Sequence, residues 1–216
     1  VQNPEIQDLI AGISFMGVKK MKYQYSIAIL LTAAAFLAVS GCIAADKQST
    51  STELLEKIPQ GKDLPAGFEL IYRANDEVDN KSSNIIRINM TDEIEKFYGE
   101  KNIGKVRAVK GWYRQPGYED DGLITIISSE DSAMAQAAAS NYISNFQRQN
   151  HFMLPGNVSL IEEAKIGNHA ATEFKDLTGE NVVRYAYLWS SGNLVVLVEG
   201  SPDREKSIAF AESVKV

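Results

Sequence analysis

The sequence predicts an α+β domain over residues 63–216, a mostly antiparallel sheet with helices packed on one face. Three observations carry that expectation. Strand-like runs come in pairs around turn residues, as VRAVKGWYR (106–114) and LITIIS (123–128) do around QPGYEDDG. Stretches with apolar residues at helical spacing follow these pairs, each behind a residue suited to capping. The order hairpin then helix occurs twice, at 106–148 and 182–212, which allows a duplicated unit even though the two copies share little identity.

Taken in order, TELLEKIP (52–59) predicts a short helical turn ended by Pro59. Phe68, Leu70 and Tyr72 alternate with Glu69, Ile71 and Arg73, a weak period-two pattern. DEVDNKSS (76–83) is expected as a solvated loop, IIRINM (85–90) as a strand and TDEIEKFYG (91–99) as a helix. After the hairpin at 106–128, Ser128 and Asp131 have the spacing of a capping box. The helix behind it runs through 130–150, with Ala135, Ala139, Tyr142, Ile143 and Phe146 on one face, and stops before Pro155 and Gly156. VSLIEEAKI (158–166), HAATEFKDL (169–177), VVRYAYLW (182–189) and LVVLVEG (194–200) are strands, the last two joined by the turn SSGN. Ser201 as cap with Pro202 at the first helical position opens a helix to about Glu212. This element order over 64–216 resembles that of exported α+β domains of the PsbP and Mog1 type. The resemblance implies a fold and assigns no residues, since it includes no diagnostic motif.

The N-terminal part is a different object. Residues 1–41 carry Lys19, Lys20 and Lys22 against Glu5 and Asp8, so the remaining 175 residues hold a net charge of −7 within a total of −6. The three lysines precede an uncharged apolar stretch from Ile27 to Ala38, with small residues just before Cys42, the pattern of an export signal. Val39, Ser40, Gly41 and Cys42 resemble the lipobox of prokaryotic lipoproteins. That resemblance implies cleavage before Cys42, a lipid on its thiol and a mature chain that begins there. A single acyl chain anchors only marginally, at about 0.8 kcal/mol per buried CH2, whereas two chains on one cysteine hold firmly. An uncleaved membrane-spanning helix over 27–45 remains the rival, since its 19 uncharged residues approach the roughly 20 a span needs. Residues 1–20 are expected to be a start-site extension, because Met21 and Lys22 would open a signal of ordinary length. Residues 42–62 then form a polar tether behind the lipid, ahead of the globular part at 63–216.

The acidic body excludes nucleic acid as the expected partner, because such binding rests on clustered Lys and Arg. GEKNIGKV (99–106) matches GxxxxGK but has a helix before it, a strand after it and Val106 where a hydroxyl is needed, so Gly99 is expected only to close a helix. His151 and His169 show no metal-ligand spacing, and no catalytic residue, metal ligand or cofactor is assigned. Asp76, Glu77 and Asp79, and Glu119, Asp120 and Asp121, lack calcium-loop spacing. Asn80, Asn89 and Asn157 head glycosylation sequons, the strand-borne Asn89 being the least suited of the three. Tyr185, Tyr187 and Trp189 share one side of a strand, and Trp112, Tyr187 and Trp189 are the candidate ligand-contacting aromatics beside a default role in the core. Together these features predict a membrane-anchored domain outside the cytoplasm that binds or supports without catalysis, its protein or small-molecule partner unassigned. The alternatives are an exported enzyme with a dispersed site, using His169 or the acidic loops, and a ligand-binding component of a transporter.

Overall fold

In the computed structural model of the protein, residues 49–76, 84–100, 103, 105–115, 117–118, 122–149, 159–177 and 182–216 are described. They form helix α1 (Ser51–Lys57), a 3-10 turn (Gly61–Asp63), strands β1 (Glu69–Asn75) and β2 (Ile85–Arg87), helix α2 (Thr91–Tyr98), and the hairpin β3 (Arg107–Arg114) and β4 (Gly122–Ser128). Helix α3 (Ser132–Gln149), strands β5 (Ile161–Ile166), β6 (His169–Leu177), β7 (Val183–Ser191) and β8 (Leu194–Glu199), and helix α4 (Arg204–Glu212) complete them. The eight strands make one sheet in the order β2-β1-β3-β4-β8-β7-β6-β5. Every neighbouring pair is antiparallel except β1 with β2. The fold is therefore α+β with a mostly antiparallel sheet.

The helices do not keep to one face. Alternation along β8 sends Leu194, Val196 and Val198 into one core and Val195 and Leu197 into another. On the first side, called face A, α1 supplies Leu54, Leu55 and Ile58, and α4 supplies Phe210, Ala211 and Val214 just beyond its end. On the opposite side, face B, α2 supplies Ile94 and Phe97, and α3 supplies Ala135 and Ala138. The physical reason lies in the central strands. β4 and β8 are apolar at almost every position, and a strand apolar on both sides needs cover on both sides.

The hairpin–helix order does recur, as β3–β4–α3 and β7–β8–α4, but α3 lies on face B and α4 on face A. β4 and β8 pair antiparallel, so the rotation that overlays one hairpin on the other keeps faces unchanged. It would put both helices on one side, so the repeated hairpin–helix order that the sequence allows as a duplicated unit is not a symmetric one.

Face A is built for close approach. A Cβ on Gly200 would fall 2.4 Å from Ser207 Oγ and 3.0 Å from Ser207 Cα, so α4 can lie this near the end of β8 only over a glycine. Gly111 gives Ile58 the same access, with Ile58 Cγ2 at 2.9 Å from the Cβ it lacks. The buried ring of Tyr113 meets Phe210 edge-on at 4.8 Å and donates its hydroxyl to Pro59 O at 2.9 Å.

Residues 50–62, which the sequence assigns to the tether, pack as part of the domain. Thr50 accepts from Glu53 N and donates its own backbone N–H to the Glu53 carboxylate, a complete capping box that starts α1. Leu54 and Ile58 are buried against the sheet. Polar neighbours disguise this three-residue apolar stripe as linker. Two other helix starts shift as well. Asp131 accepts from Met134 N and is the effective cap of α3, whereas Ser128 ends β4 and accepts from Asn193 Nδ2. Asp203, rather than Ser201, caps α4 by accepting from Lys206 N. Gly99 ends α2 in the left-handed region at φ 77°, its N–H donating to Glu95 O, as a helix-closing glycine should.

Candidate functional site

The cover on face B leaves a gap. α2 and α3 pack on each other through stacked Phe97 and Tyr142, 4.7 Å apart, and Asn141 Nδ2 donates to Phe97 O at 2.7 Å to satisfy the end of α2. α3 crosses β7 and β8. Beyond Tyr142 and Phe146 the helix pair and the sheet diverge into a cleft of about 650 Å³. Asp92, Glu95 and Lys96 on α2, Asn145 and Gln149 on α3, and Asp176 at the end of β6 surround it. Its inner end is a recess of about 20 Å³ that adds Phe174, Arg184 and Glu199. Phe174 is the floor, edge-on to Tyr142 at 5.7 Å and to Phe146 at 4.8 Å.

The electrostatics of this end are lopsided. Arg184 is committed to the backbone, its Nε donating to Gly200 O at 3.1 Å and its Nη2 to Glu199 O at 3.3 Å. Lys96 is paired with Glu93 at 3.1 Å. The carboxylates of Asp176 and Glu199 make no ion pair with any described residue. Tyr142 records this imbalance. Burial pushes its hydroxyl well above the ordinary tyrosine range, and the charges of Glu199, Asp176 and Glu93 push the same way against a smaller opposing effect of Arg184.

Among the described residues, face A carries the most deeply buried charge, in a closed arrangement. Glu173 on β6 is 1% exposed and accepts from Tyr187 Oη at 2.9 Å and from Arg204 Nε at 2.8 Å. Lys175 Nζ stands 3.9 Å from its other oxygen and 2.6 Å from Glu162. Burial raises the Tyr187 pKa, and its hydrogen bond to Glu173 raises it further. Two carboxylates against two cations balance in charge. This cluster clamps α4 to β6 and β7 and offers no uncompensated charge to a ligand.

The sequence candidates divide accordingly. Tyr187 and Trp189 are buried in the face A core, as strand alternation implies, together with half-buried Tyr185. Trp112 lies on face B instead, stacked on Tyr72 at 4.6 Å with Lys110 Nζ 5.0 Å from its ring centre. The three candidate aromatics therefore do not converge. Asn89 is exposed and lies between β2 and α2, not in a strand, because pairing of β2 ends at Arg87; its Oδ1 accepts from Thr91 N at 2.9 Å. His169 opens β6 with its ring against Trp189 at 6.0 Å, and no carboxylate among the described residues hydrogen-bonds to it. Cys42, Asn80, Asn157 and His151 lie outside the described residues, as do Glu77, Asp79, Glu119, Asp120 and Asp121.

Among the described residues no group of acidic, histidine or cysteine side chains could hold a metal ion, and no helix is long and apolar enough to cross a membrane. No family model matches the chain, and neither curated proteins nor solved structures give a match. Sequence reasoning missed Asp176, Glu199 and Arg184. The available signal was a charged residue at a strand end, where apolar alternation stops.

Proposed function

We propose that the chain is a lipid-anchored lipoprotein whose folded domain works outside the cytoplasm as a binding or envelope-support module without catalysis of its own. The observation that carries the anchor is Val39-Ser40-Gly41-Cys42 directly behind a lysine-led apolar run. In this reading the signal over 1–41 is removed and Cys42 holds the lipid. Thr50 already caps the first helix, and eight peptide steps from Cys42 reach at most about 28 Å, so the domain stays close to the bilayer surface. The cleft on face B supports the binding role. It is concave, has an aromatic floor and charged walls, and has the size of small-ligand sites.

Replacing Cys42 with Ser tests the anchor. The unaltered chain should fractionate with membranes and carry the added mass of lipid, and C42S should lose both or accumulate as the unprocessed precursor. Unchanged mass and unchanged partitioning into detergent in C42S would refute lipidation.

A further inference from the structure

The recess at the inner end of the face B cleft has a definite size and a definite charge. Its volume of about 20 Å³ admits the centre of a single water-sized group, for which roughly 10–15 Å³ suffices. An ammonium head is of that size, and a planar guanidinium is larger. The side chains bounding the recess include two carboxylates, Asp176 and Glu199, and one guanidinium, Arg184, whose Nε and Nη2 point at the carbonyls of Gly200 and Glu199. Among the described residues that bound it, one added positive charge would balance the recess.

We propose that this recess binds a primary alkylammonium group, either the head of a lysine side chain on an extended partner segment or the end of a polyamine. The ammonium sits between the Asp176 and Glu199 carboxylates, where charge-assisted hydrogen bonds are strongest. The alkyl stem lies along Tyr142 and Phe146, whose ring faces favour a cation and an apolar chain alike. The remaining body occupies the outer cleft, where Asp92 and Glu95 stand with Lys96, itself paired with Glu93. The inference rests on the binding role proposed above and is independent of the lipid on Cys42.

The test uses the full chain in neutral detergent, titrated with three probes. They are 1,5-diaminopentane, a capped five-residue peptide with one central lysine, and the same peptide with arginine in its place. Binding is followed by calorimetry and by the ring resonances of Tyr142 and Phe146. The lysine peptide, the diamine or both should bind and shift those resonances, with the arginine peptide weaker by about tenfold or more. The D176N/E199Q variant should lose about tenfold in affinity with its melting temperature unchanged. Saturation by the diamine alone identifies a polyamine, and saturation by the peptide alone identifies a partner segment. The proposal is overturned if neither ammonium probe binds up to about 10 mM, if the arginine peptide binds as tightly as the ammonium probe that does bind, or if D176N/E199Q binds as the unaltered chain does. The lysine-to-arginine comparison is made on the unaltered chain and does not depend on how the variant folds. Failure in the titration with lipid still present on the chain removes the ammonium site and leaves the anchor standing.

Discussion

The two faces of the sheet handle polarity in opposite ways. On face A the buried charges and the tyrosine hydroxyls find partners within the fold, although the indole Nε1 of Trp189 has none among the described residues: Tyr113 donates to Pro59 O, Tyr187 and Arg204 converge on Glu173, and Lys175 bridges to Glu162. Face B does the same near its centre, where Lys110 meets Glu93 at 2.7 Å, but at the far end of α3 it leaves Asp176 and Glu199 beside an open cleft. A face whose charges cancel internally contributes rigidity. A face with a local surplus of one sign is where a ligand can gain free energy, because it supplies what the fold withholds.

The largest expected effect lies on face A. Phe210 is fully buried, stacked on Phe68 at 4.0 Å and edge-on to Tyr113, so Phe210→Ala should cost about 3–5 kcal/mol. Urea denaturation measures this, and a loss below about 1 kcal/mol would show that α4 contributes little to the face A core.

A smaller and pH-dependent effect should mark the closed part of face B. Burial works against the charge on Glu93, but its hydrogen bonds and ion pairs with Lys110 and Lys96 outweigh that, so its pKa falls below the ordinary glutamate range near about 4.3. A carboxylate with a depressed folded pKa contributes stability that is fully present above the unfolded pKa and is lost as pH falls through the folded one. Glu93→Gln should therefore destabilise at pH 7, where it leaves nearly buried Lys110 without its counter-charge, by about 3 kcal/mol. The difference from the unaltered chain should shrink as pH drops below about 4.3. Melting curves from pH 7 to pH 3 decide it, and a constant difference across that range would remove Glu93 from the acid response.

The smallest effect belongs to the cleft. Asp176 is exposed and Glu199 half-buried, and neither is paired with a described residue, so D176N/E199Q should change stability by no more than about 0.5 kcal/mol. A loss on the scale of the Glu93 variant would mean that these carboxylates hold the fold together, which would erase the contrast between the faces.

How much of this was legible depends on how local the signal is. β4, β8 and the apolar face of α3 stand out because each is a continuous or periodic run within a few turns of chain. The same runs already carried the evidence for two covered faces, since LVVLV has no polar side to leave in water. The alternation around Tyr72 points instead to a half-solvated sheet, and it belongs to β1, where the register shifts between Leu70 and Tyr72. The caps of α3 and α4 were misplaced by two or three residues because Ser and Asp cap about equally well, and only tertiary partners such as Asn193 decide which one is free to do so. The cleft was out of reach altogether. Tyr142, Asp176, Arg184 and Glu199 come from four elements and meet only through the sheet order.

That sheet order also governs assembly. β4 pairs with β8 through Leu123 to Ser128 and Leu194 to Glu199, joining stretches of chain some seventy residues apart at the middle of the sheet. Loop closure of that length is paid before the contacts that reward it form, which slows folding of such topologies. Until β8 arrives, β4 and β7 each present an open, strongly apolar edge, the condition that invites pairing with the wrong chain. A chain lacking residues 194–216 would keep both hairpin partners without their common seam, and should appear as aggregate instead of as a smaller stable sheet.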